Sequence, residues 1–158
     1  MNSMENSEMK VMLALDDSHH SATALDNVMN RPWPTGTEFL ILTVVEPFHP
    51  DYAGWDSAAV GDAVQYGQTL EAHAREYATR SAKQLSDKFG MDKVQAETKE
   101  GRIKETIIQT AIDWHADLII MGSHGRSGIE KFLLGSVSQA VVAHAPCSVE
   151  IVKKRREQ

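Results

Sequence analysis

The residues best placed to do chemistry are Gly122-Ser123-His124-Gly125-Arg126-Ser127-Gly128, set between the apolar run Leu118-Ile119-Ile120-Met121 and a second pair, Gly135-Ser136. A buried strand, a glycine-rich turn and a helix start are the parts of an anion site. Glycine permits positive φ and a close approach of backbone to ligand, so successive N–H groups can converge on a phosphate. A helix beginning near Ser136 adds the positive end of its dipole. The chemistry implied is binding of a nucleotide or another phosphorylated small molecule. The chain has neither the Gly-Lys-Ser/Thr end of a P-loop nor a Gly-x-Gly-x-x-Gly after its first strand, so those two classes lose ground. Spaced glycines are also ordinary turn residues, and only their position between strand and helix gives these weight.

For such a turn to act, a sheet must hold it. Residues 10–15 read as a short buried strand, followed by Asp16-Asp17-Ser18, residue types that cap helices. A helix over 19–29 puts Ala22, Leu25, Val28 and Met29 on one face, and Pro32 and Pro34 end it. Residues 39–45 form a continuous apolar run rich in branched side chains, as in a strand covered on both faces. Residues 46–65 show neither period and read as a long surface loop or lid. A long amphipathic helix is expected over 69–88, carried by Leu70, Ala74, Tyr77, Ala78, Ala82 and Leu85, with Gly90 beyond it. Then come a more exposed strand over 94–98 and a helix opened by Gly101 with Ile103, Ile107, Ala111 and Trp114 as its buried stripe. A strand over 118–121, a short helix over 137–144 and a last strand over 148–152 complete the order. This alternation predicts an α/β fold, a single open five-stranded, mainly parallel sheet with helices on both faces. Ligands in such sheets sit beyond the strand C-termini where the winding reverses, so neighbouring first and fourth strands would bring Asp16 and Gly122 to opposite lips of one crevice.

The chain of 158 residues has the size of one domain, with a core large enough to need neither disulfide nor structural metal. Residues 1–9 read as a flexible tail, 10–153 as the domain and 154–158 as a basic tail. Net charge is −6 with both signs interspersed, which offers no field for a nucleic-acid backbone or an anionic membrane. Cys147 is the only cysteine, which excludes an intrachain disulfide and fits a reducing compartment. No apolar stretch has the length of a signal peptide or a membrane span, so a cytoplasmic location is expected.

Several residues admit two readings. Ser136 with Gln139 has capping-box spacing, so its hydroxyl either caps the helix or shares phosphate duty with the N–H groups there. Asp16 either stabilises a helix start or contacts the ligand. His124 acts through its ring or only through its backbone N–H. Arg126 is a phosphate clamp or an exposed loop arginine, and Ser138 faces ligand or core. His19-His20 with Asp16-Asp17 would suggest a metal cluster, but adjacent helix residues point in different directions. Cys147, after Pro146, reads as a small packed hydrophobe.

The chain resembles the universal stress protein family in its nucleotide-binding branch. The resemblance rests on Asp16-x-Ser18 after the first strand, the strand end Leu42-Thr43-Val44-Val45, the stretch Asp117-Leu-Ile-Ile-Met-Gly-Ser-His-Gly-Arg126, Leu134-Gly-Ser-Val-Ser138 and the turn Ala145-Pro-Cys147. It implies a Rossmann-like sheet ordered 3-2-1-4-5, of the adenine nucleotide alpha hydrolase-like kind. It also implies binding of ATP or another adenine nucleotide, with or without Mg²⁺, and a homodimer through the last strand at Val149 and Ile151. By position, Val44 backbone groups would hold adenine, and Ala14, Met121 and Arg126 would belong to the nucleotide site. Asp16 would contact sugar or phosphates directly or through nucleotide-bound Mg²⁺. Gly122, His124, Gly125, Gly135, Ser136, Val137 and Ser138 would surround the phosphates. The expected role is a stress-response sensor or regulator with a protein partner, no nucleic acid and no membrane. The alternatives are a slow Mg²⁺-dependent ATPase or phosphotransfer enzyme, and a member that works through protein contacts alone. Ser148, where a second proline is frequent, and Glu150, in an otherwise apolar strand, depart from the family pattern.

Overall fold

In the computed structural model, which describes residues 8–47, 51, 53–125 and 134–153, the strands and helices alternate along the chain. They are β1 (Lys10–Ala14), α1 (His19–Met29), β2 (Glu38–Val45), α2 (Ser57–Phe89), β3 (Val94–Glu100), α3 (Ile103–Trp114), β4 (Leu118–Gly122), α4 (Ser136–His144) and β5 (Ser148–Val152), with a 3-10 turn at Met91–Lys93 before β3. The sheet has the order β3-β2-β1-β4-β5 and every pairing is parallel, as expected. Lys10, at the start of β1, is tied to the start of β4: its N–H donates to the Asp117 carboxylate at 2.8 Å, and the Asp117 N–H donates back to the Lys10 carbonyl at 2.9 Å.

Because side chains alternate across a strand, the sheet builds two cores. Val11, Leu13, Phe39, Ile41 and Ile120 pack under α1 and α2, against Ala24, Leu25, Val28, Ala78 and Leu85. Met12, Leu40, Leu42, Ile119 and Met121 pack under α3 and α4, against Ile107, Ala111 and Val141. On α1 the buried stripe is Ser21, Ala24, Leu25 and Val28, one step round from the expected one, and Ala22 is exposed. The neighbour that decides this is Ser21, whose hydroxyl bonds back to Asp16 at 2.7 Å and turns that face inward.

The main departure from expectation is α2. From Ser57 onward the supposed loop is helix, capped by Asp56, whose side chain accepts from the Ala59 N–H at 2.8 Å. Of the remaining loop, residues 48–50 and 52 lie outside the described residues. A helix of 33 residues is about 50 Å long, whereas the eight residues of β2 span about 26 Å. The C-terminal end of α2 is anchored low on the sheet, where Phe89 stacks on Phe39 with ring centroids 4.9 Å apart. The excess length therefore projects past the C-terminal edge of the sheet.

β5 is one edge. The Ser123 N–H donates to the Val152 carbonyl at 3.2 Å, so Val152, Glu150 and Ser148 turn their backbone groups to β4, and Val149 and Ile151 turn theirs outward. Glu150 is engaged within its own chain: Arg31 Nη1 lies 2.9 Å from both carboxylate oxygens and stacks on Trp33. The polar residue in the apolar last strand thus serves to tie β5 to the end of α1.

Gly61 and Gly67 sit inside the projecting part of α2, and a Cβ at either would meet nothing within 4 Å. Alanine removes the backbone-entropy cost of a helical glycine, about 0.5–1 kcal/mol per site. Gly61→Ala and Gly67→Ala should each raise the urea midpoint without changing the slope of the transition; unchanged midpoints would argue against a helix there.

Candidate functional site

Strand order reverses between β1 and β4, and a large crevice opens there, beyond the strand C-termini. It is a cavity of ≈ 750 Å³ walled by three strand ends, 14–17, 42–46 and 121–125, by the start of α4 and by the projecting part of α2. Ala14, Asp16, Val44, Met121, Gly122, His124, Gly125, Gly135, Ser136, Val137 and Ser138 all line it. Arg126 lies outside the described residues, as do Ser127 and Gly128.

On the α3 and α4 side the walls are apolar: Ala14, Leu42, Val44, Ile103, Ile107, Met121 and Val137. Val44 also offers its backbone. β2 outruns β1, whose pairing with it ends at Ala14 opposite Leu42, with one further bond from the Leu15 N–H to the Leu42 carbonyl at 2.9 Å. Leu42 therefore faces β1, and by the period of two so does Val44. Val45 faces β3, accepting from the Gly101 N–H at 3.0 Å. Among the described residues no backbone partner reaches the Val44 N–H and C=O, so a donor and an acceptor stand side by side at the rim of an apolar slot.

Opposite them is the start of α4. Its N-cap is Gly135, with no side-chain cap, and Ser136 is the first helical residue. The capping-box reading of Ser136 is thereby corrected. Gln139 instead sends its amide to the Leu134 carbonyl at 3.0 Å, and Gly135 donates its own N–H to the Ser123 carbonyl at 2.8 Å. A helix start leaves the N–H groups of Ser136, Val137 and Ser138 without intrahelical acceptors, and here no cap side chain takes them up. The Ser138 hydroxyl is buried and donates to the Gly122 carbonyl at 3.0 Å, pinning α4 to the end of β4. Of its two readings, the side chain takes the structural one.

The glycines work by close approach, and the expectation of positive φ is not met at Gly122, Gly125 or Gly135. A Cβ at Gly122 would lie 2.7 Å from the His20 carbonyl carbon, so this glycine lets the first turn of α1 press on β4. A Cβ at Gly125 would lie 2.9 Å from Asp16 Oδ2. Asp16 is itself held from behind: Oδ1 accepts from the Ser21 hydroxyl at 2.7 Å and from the Ser18 N–H at 3.3 Å. Helix capping of α1 belongs to Ser18, which accepts from the Ser21 N–H at 3.1 Å, so Asp16 orients toward Gly125. His124 is buried, its Nδ1 3.1 Å from Ser123 Oγ and its ring tilted against that of His20. No group of three or more His, Cys, Asp or Glu among the described residues is arranged to hold a metal ion by itself.

The remaining wall comes from α2, which sequence reasoning did not connect with the site. Asp17, in left-handed backbone with φ of 47°, sends Oδ2 to His73 Nε2 at 2.6 Å, and Arg80 lies 3.9 Å from its other oxygen. Tyr77 is buried among α2, β1 and β2, and burial raises its phenol pKa, helped by the negative charges of Asp17 and Asp16. The Ser81 hydroxyl, second only to burial in its influence, and more weakly Arg80 act the other way, although the Ser81 and Tyr77 hydroxyls do not reach hydrogen-bond geometry. Away from the cavity, burial and then the charge of Asp117 push the Cys147 thiol pKa up, which keeps it protonated, as suits a packed hydrophobe.

The universal stress protein family model matches residues 9–153, and the chain belongs to that family. A universal stress protein of Methanocaldococcus jannaschii, MJ0531, is 30% identical over 158 residues, covering 98% of this chain and 87% of that one. Among solved structures, the protein MJ0577 superimposes with a TM-score of 0.78 at 26% identity, covering 94% of this chain and 97% of that one. A universal stress protein in complex with cAMP gives 0.55 at 21% identity, with 92% and 96% of the two chains covered. An Arabidopsis thaliana member with AMP bound gives 0.58 at 20% identity, with 93% and 92% covered. Among the described residues no helix is long and apolar enough to cross a membrane.

The two close-approach glycines should separate. Gly122→Ala forces a methyl against His20 backbone and should cost about 1–3 kcal/mol. Gly125→Ala meets only the end of a side chain, one oxygen of the Asp16 carboxylate at 2.9 Å, and should cost less, about 1 kcal/mol. Urea unfolding of both variants tests the order, and equal costs would refute the packing role of Gly122.

Proposed function

We propose that this member of the universal stress protein family binds an adenine nucleotide in the cavity at the C-terminal edge of its sheet and acts as a ligand-dependent regulator, with no catalytic residue assigned. The carrying observation is Val44. One N–H and one C=O, side by side at the rim of an apolar slot and without a backbone partner among the described residues, match the acceptor and amino donor that adenine presents along one edge. The AMP and cAMP complexes of two family members support the same ligand class. The three N–H groups at the start of α4, which no cap side chain takes up, suit the phosphates. Asp16, oriented by Ser21, suits a sugar hydroxyl or nucleotide-borne Mg²⁺. Arg126 follows Gly125 directly and is assigned to the phosphates by its place in the chain. Occupancy would stabilise the projecting part of α2 against the rest of the site and present a changed surface to a protein partner in the cytoplasm.

Calorimetric titration and thermal melting with ATP, ADP and AMP test this reading. At about 100 times its dissociation constant, a nucleotide should stabilise by about 2.7 kcal/mol, or roughly 5–10 °C in Tm. Gly125→Val should fold yet bind none, because a branched side chain there displaces Asp16 and fills the approach to the ligand. No heat and no Tm shift at millimolar nucleotide would sink the reading.

The open edge of β5 suits a homodimer. Two such edges, antiparallel about a two-fold axis, would pair the outward backbone groups of Val149 and Ile151 while Glu150 stays on Arg31. Val149→Pro removes one outward N–H and leaves the β4 ladder intact, so it should give folded monomers in sedimentation at tens of micromolar. A proline variant that still sediments as a dimer would place the interface elsewhere.

A further inference from the structure

Two polar atoms of the cavity are left over by every contact within the chain: Thr43 Oγ1 and the Tyr77 hydroxyl are buried and have no hydrogen-bond partner among the described residues. Thr43 is 4% exposed and Tyr77 is 7% exposed, and both line the cavity. A buried hydroxyl without a partner is destabilising, and valine and phenylalanine would fill the same volumes without that cost. Such an atom in a cavity wall calls for a partner that the chain does not supply.

Their position narrows what that partner is. Thr43 lies between Leu42 and Val44 on β2, so it turns to the opposite side of the sheet from the apolar slot, toward α2, where Tyr77 sits. The cavity thus wraps round the edge of the sheet and has a second wall of Leu15, Thr43, Leu70, Ala74 and Tyr77. Tyr77 is close enough to Asp17 and Asp16 for both carboxylates to act on it, with only the exposed Arg80 opposing them. A phosphate would meet the field of two carboxylates, and the one cation near Tyr77 among the described residues that opposes it, Arg80, is exposed and lies 3.9 Å from the Asp17 carboxylate. A cationic donor would use the lone pairs of the two hydroxyls and leave their protons unsatisfied. A hydroxyl of the ligand both donates and accepts, and so matches both.

We propose that Tyr77 and Thr43 form a polar subsite for an uncharged, hydroxyl-bearing part of the ligand, which in a nucleotide is the sugar. This rests on the nucleotide reading above and extends it to the wall built by α2, making that helix part of the ligand site through Tyr77.

The test is calorimetric titration of the full chain, as wild type, Tyr77→Phe and Thr43→Val, with AMP and its 2′-deoxy and 3′-deoxy analogues, together with ligand-free melting. Each variant should lose about fivefold or more in AMP affinity. With the analogue that lacks the contacted hydroxyl, variant and wild type should bind alike, because the protein and ligand groups form one interaction. Ligand-free Tyr77→Phe should melt no lower than wild type, since it sheds an unsatisfied hydroxyl. Unchanged AMP affinity in both variants would overturn the subsite and leave the nucleotide reading standing. A lower ligand-free Tm for Tyr77→Phe would overturn it as well, by revealing a partner within the chain. If the wild type binds no nucleotide, the functional reading fails separately. Adenosine, which carries the same hydroxyls without phosphate, together with the ligand-free melts, then decides the subsite.

Discussion

The first turn of α1 lies so close to the end of β4 that Gly122 has no room for a side chain: a Cβ there would sit 2.7 Å from His20 backbone. Much of the site depends on this contact. It holds the β1–α1 connection beside the β4–α4 connection at the point where strand order reverses, so Asp16 and Gly125 meet across the crevice. The same junction is fastened by the Ser138 hydroxyl on the Gly122 carbonyl and by the Gly135 N–H on the Ser123 carbonyl. The glycines of this turn therefore set distances between backbone segments, and a ligand inherits the space those distances leave.

Around that junction the cavity gets its two different walls from the pleat of the sheet. Alternate residues of β2 serve opposite faces, so Leu42 and Val44 line an apolar slot under α3 while Thr43 faces α2. The length of α2 then decides how deep the second wall is. A helix that stopped at the edge of the sheet would leave Leu70, His73 and Ala74 nothing to cover. Because α2 begins at Ser57, its first turns overhang the strand ends, and Asp17 is fixed to it through His73 at 2.6 Å. That pair is exposed, so its contribution to stability is small, and its effect is to set where the β1–α1 connection lies.

The strands were legible because a parallel sheet covered on both faces writes itself as apolar runs, and 39–45 and 118–121 are such runs. The lining of the slot and of the α4 start was legible from the glycine turn and the family resemblance together. The first turns of α2 were not, because a helix is read from its buried stripe and here only Ala63 is buried before Ala74. Gly54 and Gly61 added the look of a loop; the usable signal was Asp56, a capping residue three before Ala59. Ser136 misled for a related reason, since Ser-x-x-Gln spacing looks the same whether the serine precedes the first helical residue or is that residue, as it is here. The Asp17–His73 pair joins residues far apart in the chain, and no local pattern encodes it. Thr43 and Tyr77 left faint marks: one is the lone polar residue in the run 39–45, the other the lone aromatic in the buried stripe of α2.

The backbone groups of Val44, which have no backbone partner among the described residues, show how an open edge arises from a mismatch in strand length. β1 ends after five residues while β2 continues for eight, paired along its other side to β3 as far as Val45 opposite Glu100. The surplus part of β2 is thus half a ladder. Its outer groups are satisfied by β3, and its inner groups face a cavity whose adjoining side chains are apolar and supply no hydrogen bonds. Water can reach them there, and in the proposed reading a planar ligand with a matching donor and acceptor would satisfy both at once beside the apolar walls of Val44, Ile103 and Met121. The stub of β1 is itself a consequence of the turn at Asp16 and Asp17, where left-handed backbone at Asp17 sends the chain into α1 and onto Gly122. The contact that closes one side of the crevice is therefore also what ends β1 early and leaves Val44 open on the other.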